Sequence, residues 1–162
     1  MHNLVAETVN TASVIITDWD SISDECDYRD IDAVAAAGGI RISRAKDILL
    51  VALDKVTNKI VGATWSSFDR DSEAEGESGY DEVYAFDFDI AVLPEYRVGG
   101  IGTKLIDETL AYYNSVKGDY PGYTYIKMLV INPKLAQTLE NKYGFTLEAD
   151  YGHDHFRMVR YD

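Results

Sequence analysis

Between Phe86 and Tyr113 the sequence leaves the backbone little freedom, and Arg97-Val98-Gly99-Gly100-Ile101-Gly102 lies at the middle of that stretch. Ahead of it Phe86, Phe88, Ile90 and Val92 alternate with Asp87, Asp89 and Ala91, the period of a strand with one face in a core. Behind it Leu105, Ile106, Thr109, Leu110 and Tyr113 recur at helical spacing. A strand that runs through Pro94 into a glycine-rich turn and out into a helix leaves the helix's leading N–H groups without acceptors, which makes an anion site from main chain alone. Gly99, Gly100 and Gly102 carry no Cβ, so the backbone can take positive φ and a phosphate can approach its amides, while Arg97 adds a guanidinium beside them.

Two familiar phosphate loops do not fit these residues. A dinucleotide fingerprint begun at Gly100 meets Leu105 where a third glycine belongs, and a Walker loop needs adjacent Gly-Lys where this chain has Gly102-Thr103-Lys104. What fits is Arg-x-x-Gly-x-Gly behind Ile90-Ala91-Val92-Leu93-Pro94-Glu95-Tyr96-Arg97. With this pattern the chain resembles the GCN5-related N-acetyltransferase superfamily. The resemblance implies that Arg97, Val98, Gly99, Gly100, Ile101, Gly102, Thr103 and Lys104 hold the pyrophosphate of acetyl-coenzyme A. It also implies that Ile90, Ala91 and Val92 line the pantetheine arm, with a backbone N–H near Val92 facing the thioester carbonyl.

Other segments share the resemblance. Ile48–Leu53 and Lys59–Trp65, joined by the turn Asp54–Asn58, resemble the family's second and third strands, and Ala136-x-x-Leu139-x-x-Lys142-x-Gly144-Phe145 is similar to its closing motif. Asn132 is a loose match to the usual asparagine, one residue further from the alanine, and is counted with the cofactor contacts. Where the family often places a tyrosine as general acid toward the departing thiolate, this chain has Glu140.

Acyl transfer from a thioester to an amine needs an orienting cradle, donors for the developing oxyanion, a base for the amine proton and an acid for the thiolate. Asp87 and Asp89, on the face opposite Phe86 and Phe88, are the candidate bases, directly or through water, and a bulge in their strand would change which side chains face the groove. Glu140 is the positional acid, which asks for burial or a second carboxylate to keep it protonated; Tyr143, one turn on, is the other acid candidate, and solvent can serve instead. His153 and His155 place two imidazoles on one side of a strand, but with no third ligand near them in sequence no metal is expected.

The remaining pattern gives candidate strands at Leu4–Val9 and Ala12–Ile16, a helix over Ser21–Ala37 capped at Ser23, and a strand at Tyr125–Ile131. A helix from Pro133 to Tyr143 and strands at Phe145–Tyr151 and Phe156–Tyr161 complete it. The acidic run Asp69–Asp81 reads as a solvated, mobile loop or, more sharply, a lid that attracts a basic substrate. The element order and the resemblance together imply an α/β (α+β) fold with a mixed, mostly antiparallel twisted sheet of six or seven strands flanked by helices. A chain of 162 residues with 46% hydrophobic composition suits one domain spanning residues 1–162. A lone cysteine, Cys26, and the lack of a long apolar run or signal segment lead to the expectation of a cytoplasmic protein with no membrane partner. A net charge of −13 argues against nucleic acid and favours a cationic acceptor amine. The resulting expectation is an acetyl-coenzyme A-dependent N-acetyltransferase for an amine of a small molecule or protein, with a homodimer left open. The alternative is a non-catalytic acyl-coenzyme A-binding or protein-interaction module of the same fold.

Overall fold

The computed structural model describes residues 11–40, 46–97 and 99–161. Seven strands form a mixed, mostly antiparallel sheet flanked by helices, in the order β1-β2-β3-β4-β5-β7-β6. They are β1 (Val14–Asp18), β2 (Asp47–Asp54), β3 (Lys59–Arg70), β4 (Val83–Val92), β5 (Tyr123–Val130), β6 (Thr146–Asp150) and β7 (Phe156–Tyr161). The helices are α1 (Trp19–Ile22), α2 (Tyr28–Ala37), α3 (Ser72–Ser78), α4 (Ile101–Val116) and α5 (Pro133–Tyr143). The described residues divide into two compact units: 11–40, 48–64, 90–97 and 99–108 form the first, and 46–47, 65–89 and 109–161 the second.

In the first unit β1 pairs antiparallel with β2, from Val14↔Asp54 to Asp18↔Leu50. Helix α2 buries Ile31, Val34 and Ala35 and ends at Gly38, where a Cβ would lie 2.6 Å from that of Ala91. The single helix expected over Ser21–Ala37 is in fact two. Ser23 closes α1, and the cap of α2 is Asp27, whose carboxylate accepts the Arg29 N–H at 2.9 Å. Residues 12 and 13 of the expected early strand lie in a 3₁₀ turn, Thr11–Ser13, and the strand begins at Val14; the other candidate, Leu4–Val9, lies outside the described residues.

In the second unit β4 and β5 run parallel, from Val83↔Tyr123 to Asp87↔Lys127, and β5 pairs antiparallel with β7, which pairs with β6. Phe86 and Phe88 are fully buried, and Phe86 packs with Phe68 and Tyr113 at ring-centroid distances of 4.8 and 5.2 Å. The acidic run is not a bare loop. Strand β3 continues to Arg70, and Asp71 then caps α3 by accepting the Ala74 N–H at 3.1 Å. Two acids in the first turn, Glu73 and Glu75, favour the positive end of the helix, and Gly79 at φ +78° ends it. The two histidines sit in the turn between β6 and β7 rather than on a strand: His153 and Asp154 have φ of 53° and 61°, and the His153 carbonyl lies 2.8 Å from His155 Nδ1.

Candidate functional site

The glycine turn has the geometry that its sequence asks for. Pro94–Tyr96 form a 3₁₀ turn after β4, Gly99 and Gly100 follow with φ of 88° and 79°, and α4 begins at Ile101. The opening helical bond runs from Lys104 N–H to Gly100 O at 3.0 Å, so helix geometry leaves the Ile101 and Gly102 amides without an intrahelical acceptor. Gly99 and Gly100 are exposed. A Cβ on Gly100 would meet no described atom within 4 Å, and one on Gly102 only Val92 Cγ2 at 4.0 Å. At Gly99 the reason for glycine is different, because a Cβ there would fall 2.3 Å from Thr11 Oγ1. Among the described residues the mouth of the helix is therefore open over Gly100 and Gly102, with room for an anion against the backbone.

Arg97 does more than stand beside this turn. Its Nε donates to the Val92 carbonyl at 3.0 Å and its Nη2 to the Ala37 carbonyl at 3.3 Å, so part of the guanidinium fork braces the turn against β4 and the end of α2. A second brace was not foreseen from sequence. The Tyr96 hydroxyl donates to Asp54 Oδ2 at 2.8 Å, and Asp54 Oδ1 accepts from Ser13 Oγ and the Val56 N–H, each at 3.0 Å. Asp54 is only 4% exposed. Burial by itself raises its pKa, but the hydrogen bonds from Tyr96, Ser13 and the Val56 and Thr57 amides outweigh that, and the carboxylate sits below its ordinary range. The remaining cofactor candidates fall on ordinary structural positions. Ala91 and Val92 are buried on β4, Ile90 is half-buried, Thr103 is half-buried and Lys104 exposed in the first turn of α4, and Val98 lies outside the described residues. Asn132 spends its side chain as the cap of α5, accepting the Lys134 N–H at 2.9 Å.

The candidate bases form a compact charged cluster in the second unit. Lys46 Nζ lies 2.8 Å from Asp87 Oδ1 and 2.9 Å from Asp89 Oδ2, and Lys127 Nζ lies 3.9 Å from Asp87 Oδ2. Side-chain exposures of 15% for Lys46, 20% for Asp87 and 17% for Asp89 separate this cluster from a solvated surface pair. Burial raises the Asp89 pKa and the Asp87 charge adds to the rise, while Lys46 opposes it without cancelling it. For Lys46 burial lowers the pKa, yet the hydrogen bonds and charges of both aspartates prevail and the net shift is upward. Lys46 escaped sequence reasoning because its partners are 41 and 43 positions away. The acid candidates share α5, where Glu140 is exposed and Tyr143 half-buried. Among the described residues no three His, Cys, Asp or Glu side chains are grouped to hold a metal ion, and no helix is long and apolar enough to cross a membrane.

Comparison with known proteins bears on the fold and the family. No curated protein matches the sequence. In solved structures the chain is similar to one chain of the NatC complex bound to Gag peptide and CoA, with a TM-score of 0.63 at 14% identity, covering 93% of this chain and 99% of that one. It is also similar to Arabidopsis thaliana NAA60 in complex with acetyl-CoA, with a TM-score of 0.57 at 16% identity over 91% of this chain and 98% of that one. A third likeness is to a phosphinothricin acetyltransferase from Sinorhizobium meliloti in complex with acetyl-CoA, with a TM-score of 0.53 at 18% identity over 92% and 88%. At these identities the likenesses establish the fold. The family model described as an acetyltransferase (GNAT) domain matches residues 45–147, and the chain belongs to that family.

Proposed function

We propose that the protein transfers an acetyl group from acetyl-coenzyme A to a primary amine by direct attack of the amine on the thioester. The observation that carries this reading is the backbone over Gly100 and Gly102 at the head of α4, which none of the described residues obstructs. On a chain of net charge −13 an anionic co-substrate needs local compensation, and amide donors with the α4 dipole, Arg97 and Lys104 supply it. The residues present fit the group: the turn from Arg97 to Lys104 takes the pyrophosphate, and Ile90, Ala91 and Val92 of β4 run along the pantetheine arm. NAA60 and the phosphinothricin acetyltransferase, both similar in fold, are solved with acetyl-CoA, which supports the same co-substrate here.

The amine attacks as its free base, a C–N bond forms as the C–S bond breaks, and the amine proton has to leave. Asp89 is the assigned base. Its raised pKa makes it a better proton acceptor than an ordinary aspartate, and its contact to Lys46 runs through Oδ2. Asp87, held by Lys46 on one oxygen and approached by Lys127 on the other, positions Lys46, and its charge adds to the rise that burial gives the Asp89 pKa. Of the two acid candidates the half-buried Tyr143 is retained over the exposed Glu140 for returning a proton to the thiolate. A second reading, acyl-coenzyme A binding without turnover, has one observation in its favour: both candidate bases already share an ammonium. Free-thiol release over a panel of polyamines, amino acids, aminoglycosides and basic peptides separates the two. Turnover on any amine that falls by about 10²–10³ in Asp89→Asn supports transfer, within the usual range for a lost general base. Saturable acetyl-coenzyme A binding with no thiol release on any amine supports the second reading.

A further inference from the structure

On the second unit an open groove of about 710 Å³ lies between α3 and strands β5, β6 and β7, and acetyl transfer as described above makes no use of it. Its floor is aromatic. Tyr123 and Tyr125 stand two residues apart on β5, Tyr161 of β7 is the register partner of Tyr125, and Tyr80 stacks on Tyr123 with ring centroids 5.0 Å apart. The Tyr125 and Tyr161 rings are 5.3 Å apart. Tyr80 and Tyr161 are 50% and 58% exposed, so part of this aromatic surface is open to solvent.

The walls carry one predominant sign. Asp71, Glu73 and Glu77 come from the α3 side and Glu148 from β6, against a single guanidinium, Arg157. That guanidinium forms an ion pair with Glu148, Nε lying 3.0 Å from Oε1 without hydrogen-bond geometry, so one of the four carboxylates is offset. Two of the carboxylates are also tied into the floor. The Tyr125 hydroxyl donates to Asp71 Oδ2 at 2.5 Å and the Tyr161 hydroxyl to Glu148 Oε2 at 2.6 Å, which fixes both rings. Glu73 and Glu77, one turn apart on α3, remain exposed along the wall. Arg70, the cation nearest in sequence, is turned to Glu75 and Glu82 instead.

Exposed tyrosine rings attract a cation through their quadrupole, and the exposed Glu73 and Glu77 carboxylates alongside add a sign-specific field. We infer that this groove binds an alkylammonium group, the shared chemistry of free polyamines and lysine side chains. A neutral chain would gain only apolar contact from the same floor, and an anion would meet the carboxylates. The inference stands without the transfer reading, since it concerns binding with no acetyl-coenzyme A present; its failure leaves that reading intact.

The test is an amide chemical-shift titration of the full chain with spermidine, with Nα-acetyl-lysinamide, and with a diol of matching length. The expected result is saturable shifts confined to residues 71–80, 123–125, 148 and 157–161 for spermidine, for the lysinamide or for both, the difference naming the source of the ammonium, and none for the diol. Glu73→Gln/Glu77→Gln and Tyr80→Leu/Tyr161→Leu, all at exposed positions, are each expected to weaken binding by about 10-fold with the rest of the spectrum unchanged. Shifts scattered over the acidic surface, equal affinity for the diol, or wild-type affinity in both double variants would overturn the inference.

Discussion

Gly102 separates binding from folding more cleanly than the other loop positions. It has no positive φ, and a Cβ there meets only Val92 Cγ2 at 4.0 Å, so Gly102→Ala should leave the melting temperature unchanged or slightly raised, as expected for alanine in a helix. The same Cβ stands where a phosphate would approach the amides, and acetyl-coenzyme A affinity should fall by about 10-fold, or ~1.4 kcal/mol, in a calorimetric titration. Asp54 makes the opposite case, a residue that touches no ligand but holds the turn through Tyr96. Asp54→Ala strands the buried Tyr96 hydroxyl together with the part-buried Ser13 and Val56 donors and should cost about 3 kcal/mol in urea unfolding. Because the folded pKa of Asp54 lies below its unfolded value, its contribution is present in full above the ordinary aspartate range near ~3.9 and is lost as pH falls through the lower, folded value. Asp89 runs the other way. Its folded pKa is raised, so its ionisation costs stability as pH climbs from the unfolded value through the folded one, and in the proposed base role it would accept a proton only above the latter. Removing the opposing ammonium in Lys46→Met should therefore move the acidic limb of the kcat/KM profile to higher pH; an unmoved limb would remove Asp89 from the base role.

Most elements were legible in the sequence because each carries its own period and its own stop. Strands β2 and β3, helix α5 with Pro133 at its start and Gly144 at φ +75° after it, and the β4–turn–α4 unit all fall where apolar spacing puts them. What escaped depended on contacts between distant residues. Helix α3 has an acidic, small-residue sequence that reads as solvated loop, and tertiary bonds hold it: Asp71 accepts from Tyr125, and Glu75 takes both Arg70 and the Val83 N–H. The split between α1 and α2 turned on whether Ser23 or Asp27 caps, and the side-chain bond to Arg29 that favours Asp27 is invisible to periodicity. The same limit hid Lys46 beside Asp87 and Asp89, and also the Tyr96–Asp54 brace, although the glycine turn that this brace holds was plain. Asp71→Ala removes both the cap of α3 and the acceptor for the Tyr125 hydroxyl, and should destabilise by about 2–3 kcal/mol with loss of amide protection over 72–78. Full protection there in the variant would show that α3 holds itself.

Across the whole molecule the acid excess and the anionic co-substrate pull in opposite directions. A net charge of −13 repels a pyrophosphate at long range and draws in an amine, so the glycine turn has to win locally through amides that point along the helix axis. Added salt should screen the repulsion within the fold and raise the melting temperature between low and physiological ionic strength. The fold itself is shared at low sequence identity, so the activity we propose for this chain rests on a few positions, Gly100 and Gly102 at the turn and Asp89 with Lys46, and the proposed ammonium site on the tyrosine-floored groove. Calorimetric titration of acetyl-coenzyme A into the wild type and into Gly102→Val settles whether the turn grips the diphosphate. Saturable one-site binding by the wild type, lost in a variant that keeps the wild-type melting temperature, is the expected result; no binding by the wild type, or equal binding by both proteins, would contradict it.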